Sequence, residues 1–508
     1  MKVSQEFGSY FARIPLKATP HIVCDNALTL DWAQVLAPHN CSYILGNPPF
    51  LGKSNQSATQ KADLLAVFGK LKSASDLDFV ATWYIKAARY ISNPVRPELV
   101  EGQLTAHGST SSPRTGLNIK CAFVSTNSIT QGVQVALIWP SLFALGIKID
   151  FAHRTFSWNN EGRGKAADHC VIIGFGLHNV TDKTIYEYDD IKGEPHAVKA
   201  NNINPYLRDG IDVIAVKQQQ PISNVPSMRY GNKPTDDGNF IFTDDEKRDF
   251  LIKEPSAEKF FRLFIGAEEF INNKSRWCLW LKDADISQLR AMPAVMDRVK
   301  RVQEFRLKST AKPTQQSAET PTKFFYTSQP DSAYLLIPET SSENRNYIPI
   351  GFVDKKIISS NATYHIPNAN PYLFGILSSA MHNGWMRTVS GRLKNDYRYS
   401  ASIVYNTFPW PEVNALQTAK IEAAAQAVLD ARAVHINASL ADLYDPLTMP
   451  ANLAHQALDK AVNAAYGYKG AATDAARVAF LFERYQQITS LLPALVSKTK
   501  KVTKKPSN

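Results

Sequence analysis

The chain has 508 residues, of which 44% are hydrophobic and 20% are charged. These proportions are typical of a globular protein with a sizeable core, and they exclude a disordered, collagen-like or small disulfide-stapled chain. The five cysteines are scattered singly without a CxxC pair, which argues against a zinc site, and no metal site is predicted. No apolar run reaches the ~18–20 residues that a membrane span needs, so we expect a cytoplasmic protein with no membrane partner.

The formal net charge is +11 at pH 7. Five lysines in the tail 498–508 contribute to this excess, whereas residues 412–497 are slightly acidic, which leaves residues 1–411 clearly basic. A basic body suggests a polyanionic partner such as a nucleic acid, although many soluble proteins are mildly basic for no specific reason. We expect the tail to be a solvated, disordered end.

The first part of the chain alternates between strand-like and helix-like segments. Residues 21–50 contain two strand-like runs, HIVCDNALTLDW and CSYILGNPPF. Apolar residues at helical spacing predict a helix over 76–91, followed by the strand CAFVST and a helix over 132–146. KIDFAH and HCVIIGFG have the pattern of further strands. Apolar strands that alternate with helices indicate an α/β fold with a parallel sheet.

Residues 93–117 interrupt this pattern, because they are rich in Pro, Gly, Ser and Thr and lack periodicity. We predict a mobile surface insertion there. From about 216 to 411, short strand-like pieces alternate with turns and with one helix near 285–307, which predicts an α+β domain. After Pro411 the sequence is Ala-rich and helical. The helices expected there are 412–435, 450–466 and 471–490.

The most informative segment is Asn47-Pro48-Pro49-Phe50, at the end of the strand SYILG. The amide oxygen of Asn47 and the carbonyl of Pro48 can accept hydrogen bonds from an exocyclic amino group, whose lone pair is otherwise delocalised into a purine ring. Successive prolines fix φ and keep these acceptors in place. Phe50 offers a face on which a flipped-out base can stack. The segment therefore suggests methyl transfer to an amino group, with a strand-ending turn as the alternative.

The segment NPPF is similar to the catalytic signature of N6-adenine DNA methyltransferases that use S-adenosylmethionine. Its surroundings, YILGNPPFLGKSNQSATQKADL, resemble the MmeI-type (type IIG/IIL) restriction-modification enzymes, in which nuclease, methyltransferase and target recognition share one polypeptide. Further blocks occur in the same order, among them AFVSTNSITQGVQV, FAHRTFSWNNEGRGKAADHCVIIGF, ENRNYIPIGF and GRLKNDYRYSASIVYNTFPWP. The resemblance covers nearly the whole chain apart from residues 93–117 and the lysine tail.

The resemblance implies an incomplete Rossmann-like class I methyltransferase sheet in residues 1–215. It implies an α+β target-recognition domain in 216–411 and a C-terminal helical domain in 412–497, followed by the basic tail 498–508. The implied reaction transfers a methyl group from S-adenosylmethionine to N6 of an adenine flipped out of double-stranded DNA, as part of a restriction-modification system.

The resemblance also implies roles for individual residues in the methyltransferase domain. The four residues of NPPF would hold and stack the adenine. Asp25 and Asn26 match the block that contacts the adenine ring of S-adenosylmethionine, and a simple turn is the alternative. Phe156 and Trp158 lie in the block beside the target base, where aromatic core packing is the alternative.

In the target-recognition domain, Glu343 and Arg345 occupy the ENRNYIP block with which the family reads base edges. Arg can pair with guanine and Glu with cytosine, and a surface ion pair is the alternative. Basic residues at period two in GRLKNDYRYS suit a phosphate track on one strand face, with a charge-guarded edge strand as the alternative. The basic residues are Arg392, Lys394 and Arg398, with Tyr397 and Tyr399 expected on the other face.

The family places a Gly-rich loop upstream of NPPF, of the form FxGxG or DPACGSGNF, and residues 1–46 contain neither. No nuclease constellation is found in the sequence either. We therefore expect the chain to begin partway through the methyltransferase domain, with a separate N-terminal polypeptide as one source of the Gly-rich loop and nuclease. The alternative function is a catalytically dead or split fragment that acts only as a DNA-binding specificity module.

Overall fold

The structure is a computed structural model that describes residues 20–69, 71–92, 118–158, 168–393, 395–450 and 454–491. The expected insertion 93–117, the basic tail 498–508 and Lys394 lie outside these residues. Among the residues described, no helix is both long and apolar enough to cross a membrane, and no group of His, Cys, Asp and Glu side chains is arranged to hold a metal ion.

A six-stranded sheet organises the first part of the chain. Its strands, numbered β1 to β6, are Tyr43–Gly46, Lys120–Thr126, Lys148–Trp158, Asp168–Gly176, Lys183–Glu187 and His196–Ala200. Their order in the sheet is β1-β2-β4-β3-β5-β6. The strands β1 and β2 are parallel, but β4 runs antiparallel to both β2 and β3. Strand β5 is parallel to β3, so the sheet is mixed, and the prediction of a parallel sheet is wrong for β4. Only nine residues separate β3 from β4, which is fewer than a crossover between parallel neighbours needs.

Helices cover this sheet and bury its aromatic core. Those in the first part of the chain are Trp32–Val35, Ala58–Phe68, Ala81–Ser92 and Gly132–Ala144. Tyr84, in the helix that was predicted over 76–91, stacks on Phe175 of β4 with ring centroids 5.4 Å apart. Its hydroxyl forms a buried hydrogen bond of 2.6 Å with Ser125 of β2. The helical spacing of the apolar residues thus identified the face that packs on the sheet.

Residues 21–31 do not form the predicted strand. The side-chain oxygen of Asn26 accepts a hydrogen bond from the backbone N–H of Leu28 over 3.0 Å, which closes a turn. The side chain of Asp31 then caps the short helix Trp32–Val35. Asn and Asp side chains compete in this way with extended backbone, so the apolar residues around them do not continue as a strand.

The middle of the chain is α+β, as predicted. Its strands, β7 to β17, are Arg229–Tyr230, Ile241–Phe242, Phe261–Ile265, Trp277–Leu279, Tyr334–Pro338, Thr340–Ser341, Gly351–Val353, Ile358–Ser359, Thr363–Pro367, Gly391–Leu393 and Asp396–Arg398. They form sheets with the orders β14-β9-β10-β8, β13-β11-β15-β7 and β12-β17-β16. The helices are Asp244–Lys253, Ala267–Asn272, Ile286–Arg290, Pro293–Leu307, Lys312–Gln316, Pro371–Ser378 and Ala380–Val389. The helix predicted near 285–307 is divided in two, because Pro293 occupies the first turn of a new helix.

The segment GRLKNDYRYS forms a hairpin instead of the single strand that was predicted. Strands β16 and β17 are antiparallel, with Arg392 opposite Tyr397 and Gly391 opposite Arg398. Directly opposed residues share a face, so Arg392 lies on the face of Tyr397 and away from Arg398. The prediction that both arginines share one face, opposite Tyr397, is therefore wrong. Asn395, which lies between the paired residues Leu393 and Asp396, favours a turn there, and this preference outweighs the period-two pattern.

The C-terminal part is helical, as predicted, with helices Ala415–Ala433, Leu440–Leu443, His455–Ala465 and Asp474–Leu491. The three longer helices pack directly on two helices of the middle part, Pro371–Ser378 and Ala380–Val389, whereas Leu440–Leu443 packs on Ala267–Asn272. The packing is close, since a Cβ atom at Gly375 would lie 2.9 Å from a methyl carbon of Ile421. One continuous hydrophobic core therefore extends from the six-stranded sheet into these C-terminal helices.

Candidate active site

The NPPF segment forms a loop directly after β1, at the carboxyl end of that strand. Asn47 and Pro49 are exposed, Pro48 is buried, and Phe50 is half-buried against the main core. Among the described residues, no hydrogen bond engages the Asn47 side chain. Its amide is therefore open to a ligand, at the edge of the sheet where α/β proteins bind their ligands.

The chain that follows this loop is fastened to the approach to helix Ala81–Ser92. The backbone N–H of Leu51 donates to Oδ1 of Asp78 over 3.3 Å. The side-chain amide of Gln56 donates to the carbonyls of Leu51 and Leu77, both at 2.9 Å. The side chains of Asp78 and Gln56 thus link the residue directly after the NPPF loop to the residues before the helix Ala81–Ser92. These links hold the loop in a fixed position.

Asp78 is a buried carboxylate that the sequence analysis did not single out, although it stands directly before an apolar helix. Only 4% of it is exposed. Its second oxygen, Oδ2, accepts from the hydroxyls of Thr126 at 3.2 Å and Ser128 at 3.4 Å, where β2 ends. Burial raises the pKa of Asp78, and hydrogen bonds, first among them that from Val80 N–H, offset this in part. The carboxylate therefore connects the chain after NPPF to the end of the neighbouring strand.

Asp25 and Asn26 differ in what they can still bind. The amide of Asn26 donates to Oδ2 of Asp63 over 3.0 Å and its oxygen closes the turn described above, so it is already engaged. Asp25 is exposed and lines a cavity that runs along β1. Leu45 lines the same cavity and lies two residues before Asn47. The structure therefore brings Asp25 close to β1, and Asn26 supports the turn.

Phe156 and Trp158 lie at the end of β3 within a cluster of aromatic rings. Their ring centroids are 6.1 Å apart, and Phe156 stacks on Tyr188 at 5.4 Å. His153 stacks in turn on Tyr186 at 4.2 Å. Phe156 is half-buried, whereas Trp158 is 39% exposed. The cluster thus fixes Phe156 and leaves Trp158 as the more accessible ring.

Glu343 forms an ion pair, but its partner is Arg392 at 3.0 Å and not Arg345. The guanidinium of Arg392 also lies 3.9 Å from the ring centroid of Tyr397. Within the described part of the chain, Arg345 has no ion pair within 4.0 Å, and burial lowers its pKa. The two residues of the ENRNYIP block, Glu343 and Arg345, are therefore not paired with each other. Of the two, Arg345 is the one without an ion pair in the described part of the chain.

A cleft separates the loop after β2 from the hairpin β16–β17. Its empty space is about 1250 Å³ with the open mouth included. At one point the two backbones almost touch, since a Cβ atom at Gly132 would lie 3.1 Å from Cα of Gly391. Arg398, which lines this cleft, is paired with Glu339 at 3.2 Å. The polar walls include Asn127, Ser128 and Gln131 on one side, and Arg392, Arg398 and the carboxylate of Glu339 on the other.

Three family profiles match consecutive parts of the chain. They are described as the MmeI DNA-methyltransferase domain, over residues 1–187, the MmeI target recognition domain, over 209–412, and the MmeI C-terminal domain, over 413–493.

Two relatives are similar along almost the whole chain. The structure of the type IIL restriction-modification enzyme MmeI in complex with DNA matches with a TM-score of 0.85 and 66% identity, covering 96% of this chain and 63% of that one. DNA methyltransferase A of Bacillus subtilis (strain 168) is 39% identical over 481 residues, which are 94% of this chain and 51% of the relative. The chain thus spans about half the length of this curated relative. With its methyltransferase, target recognition and C-terminal parts in this order, the chain belongs to the MmeI family.

Proposed function

We propose that the chain transfers a methyl group from S-adenosylmethionine to N6 of an adenine flipped out of double-stranded DNA, within a restriction-modification system. The observation that carries this proposal is the exposed, unengaged amide of Asn47 at the carboxyl end of β1. The family membership supports it, as do a relative named as a DNA methyltransferase and a similar structure bound to DNA.

The NPPF loop provides the groups that this reaction needs. Asn47 Oδ1 and the carbonyl of Pro48 accept hydrogen bonds from the adenine amino group, which directs its lone pair out of the ring system. The two prolines keep both acceptors aimed, and Asp78 holds the chain behind them. Phe50 packs on the core and stacks the extruded base on its remaining face. The amino proton leaves after alkylation, so no base with a shifted pKa is required.

The cavity along β1 fits the adenosine end of the cofactor. S-adenosylmethionine supplies an electrophilic methyl group on its sulfonium. The exposed carboxylate of Asp25 would accept hydrogen bonds from the nucleoside, and the apolar side chains of the cavity would cover the purine ring. Asn26 orients the turn that carries Asp25. The apolar side chains that share this cavity with Asp25 include Ile22, Val23 and Leu45.

We further infer that a separate polypeptide completes the cofactor site by adding a strand to the free edge of β1. In the described residues β1 pairs only with β2, and its Tyr43 and Leu45 side chains are 71% and 74% exposed. A strand with one open edge and exposed apolar side chains is a template for another strand. The added polypeptide would bring the Gly-rich loop, and a nuclease with it.

The target-recognition part reads and holds the duplex. Arg345, which has no ion pair in the described residues, is a better candidate to read a base edge than Glu343, which Arg392 already engages. Trp158 offers its exposed ring beside the target base. Arg392 and Arg398 are proposed to contact DNA from the β16–β17 hairpin, although they lie on opposite faces of it. Lys394, which lies outside the described residues, is proposed as a DNA contact from the sequence alone.

Incorporation of tritiated methyl groups into duplex DNA tests the proposal. Asn47→Ala removes one of the two acceptors, and we expect incorporation to fall by at least about 100-fold. Stability should not change, because Asn47 is exposed and has no partner among the described residues. Asn179→Ala, another exposed asparagine, is the matched control.

Equal incorporation by Asn47→Ala and the unmodified chain contradicts the proposed function. Tight DNA binding without incorporation, even with the added polypeptide present, favours the alternative of a specificity module that binds DNA and has lost the chemistry.

A further inference from the structure

Four arginines line one small cavity between the six-stranded sheet and the β16–β17 hairpin. Its empty space is about 380 Å³ with the open mouth included. Arg154 belongs to β3, Arg208 to the connection after β6, Arg387 to the helix Ala380–Val389, and Arg392 to β16. The other polar lining side chains are Thr130, Gln131, Thr155, Tyr206 and Thr388, none of which is charged.

Three of the four guanidinium groups are neutralised by an acidic partner. The pairs are Arg154 with Glu187 at 2.8 Å, Arg392 with Glu343 at 3.0 Å, and Arg387 with both oxygens of Asp474 at 2.7 and 3.0 Å. The guanidinium of Arg208 has neither an ion pair within 4.0 Å nor a hydrogen bond to any residue that the structure describes. The cavity therefore carries one uncompensated positive charge.

The electrostatic environment of Arg208 favours an anion. Burial lowers the pKa of Arg208 to about 9, and repulsion from Arg154 acts in the same direction. The carboxylates of Asp474 and Glu187 offset this lowering of the pKa only in part, because each carboxylate is paired with another arginine. A half-buried charge without its own partner is stabilised when an anion enters the cavity.

A tight turn holds Arg208 in place. Asn204, which is fully buried, accepts hydrogen bonds through Oδ1 from the backbone N–H groups of Tyr206 at 3.0 Å and Arg208 at 3.2 Å. Between them Leu207 has a φ of +54°, in the left-handed region that residues with a Cβ rarely adopt. Strained backbone held by buried hydrogen bonds is common where the position of a side chain matters for binding.

The cavity opens beside the proposed DNA cleft, since Gln131 and Arg392 line both. Arg208 itself lies between the ranges 1–187 and 209–412 that the family profiles match. We infer that Arg208 binds a phosphodiester group of the DNA strand that lies in this cleft. A guanidinium matches two phosphate oxygens, and the other three arginines keep their carboxylate partners. This inference rests on the proposed function, which makes DNA the ligand of the cleft.

The test measures DNA affinity by fluorescence anisotropy with a labelled duplex oligonucleotide, between about 50 and 200 mM salt. Arg208→Gln should weaken binding about tenfold and reduce the slope of log affinity against log salt by about 0.9, equally for duplexes of any sequence. Arg208→Lys retains the charge and should keep most of the slope. Lys469→Gln removes one exposed positive charge from the C-terminal helical part, and it should change neither the DNA affinity nor the salt slope.

Thermal unfolding without DNA distinguishes phosphate binding from a structural role. Because Arg208→Gln removes an uncompensated charge, its melting temperature should equal or exceed that of the unmodified chain. An unchanged salt slope for Arg208→Gln overturns the inference, whether or not the melting temperature is lower. If the unmodified chain does not bind duplex DNA, the proposed function fails as well. If it binds and Arg208→Gln binds equally, only the phosphate site is refuted.

Discussion

The carboxylate of Asp78 joins two segments that lie far apart in the sequence. It accepts from Leu51 N–H on one side and from the hydroxyls of Thr126 and Ser128 on the other. Among the described residues no cation pairs with it, so its charge is stabilised by hydrogen bonds alone. A buried carboxylate in this situation is sensitive both to the loss of its oxygens and to pH.

Replacing Asp78 separates these two properties. Asp78→Ala leaves the backbone N–H groups of Leu51 and Val80 without their acceptor, and we expect the free energy of unfolding to fall by about 2–3 kcal/mol. Asp78→Asn keeps an oxygen for both donors and should cost about 1 kcal/mol or less. Chemical denaturation of the two variants measures the difference. Equal losses in Ala and Asn would show that the carbonyl oxygen does not hold the loop.

The pH dependence follows from the raised pKa of Asp78. Because burial lifts it above the ordinary value of 3.8, the folded chain binds this proton more tightly than the unfolded chain. The resulting stabilisation is full below pH 3.8 and is lost as the pH rises through the raised pKa. Asp78→Asn cannot titrate, so the stability of the unmodified chain relative to this variant should fall across that window and then stay constant. If the difference in stability between the unmodified chain and Asp78→Asn is the same at every pH, the raised pKa of Asp78 is contradicted.

The sequence predicted the position of the NPPF loop but not its support. A rigid turn after a strand is a local property of Asn47, Pro48 and Pro49, and local properties can be recognised from spacing alone. Asp78 depends on partners 27 and 48 positions away, which only the fold brings together. The same holds for Arg208, whose significance comes from the three neighbouring arginines.

Among the secondary-structure elements, helices were predicted better than strand pairing. The amphipathic pattern over 76–91 corresponds to the helix Ala81–Ser92, because a helix satisfies its backbone hydrogen bonds within one segment. A strand needs a neighbour, and residues 21–31 formed a turn through Asn26 because its side chain bonds locally. The GRLKNDYRYS segment alternates in polarity, yet it folds into a hairpin with Asn395 in the turn between Leu393 and Asp396. Antiparallel β4 could not be inferred from apolar composition either, since buried strands of both directions look alike.

The contact between helix Gly132–Ala144 and the β16–β17 hairpin sets one end of the cleft. Gly132 has a φ of +54°, and a Cβ atom there would lie 3.1 Å from Cα and 3.2 Å from N of Gly391. Both contacts are with backbone, which cannot move aside as a flexible side chain can. The two glycines are not equivalent, however, because a Cβ atom at Gly391 would meet nothing within 4 Å.

This asymmetry gives a matched pair of variants. Gly132→Ala combines left-handed backbone strain with a backbone clash, and we expect a loss of about 2 kcal/mol in the free energy of unfolding, with weaker DNA binding as the cleft is displaced. Gly391→Ala should be nearly neutral in stability. Chemical denaturation and duplex binding by anisotropy measure both effects. If Gly391→Ala is as destabilising as Gly132→Ala, the backbone clash at Gly132 does not explain the loss of stability.

The molecule as a whole has a continuous core and one unusual surface. The core extends from the six-stranded sheet through the middle part to the C-terminal helices, so the three family parts are packed as a unit. The surface along β1 is different, because Ile22, Tyr43 and Leu45 are all more than 70% exposed there, beside a strand edge with which no strand of the described residues pairs. A core strand is usually covered on the side that carries such residues. The partner proposed above would cover this surface.

Substituting Leu45 tests that partnership without touching the NPPF loop. The binding partner is a purified polypeptide that corresponds to the part of the Bacillus subtilis relative not spanned by this chain. Leu45→Lys places a charge where an apolar contact forms, so we expect the dissociation constant, measured by calorimetry, to rise at least about tenfold. Leu447→Lys, at a residue that is 94% exposed in the C-terminal part, is the control and should bind as tightly as the unmodified chain. Equal binding by Leu45→Lys, or no binding by the unmodified chain, would mean that β1 does not receive a strand from this source.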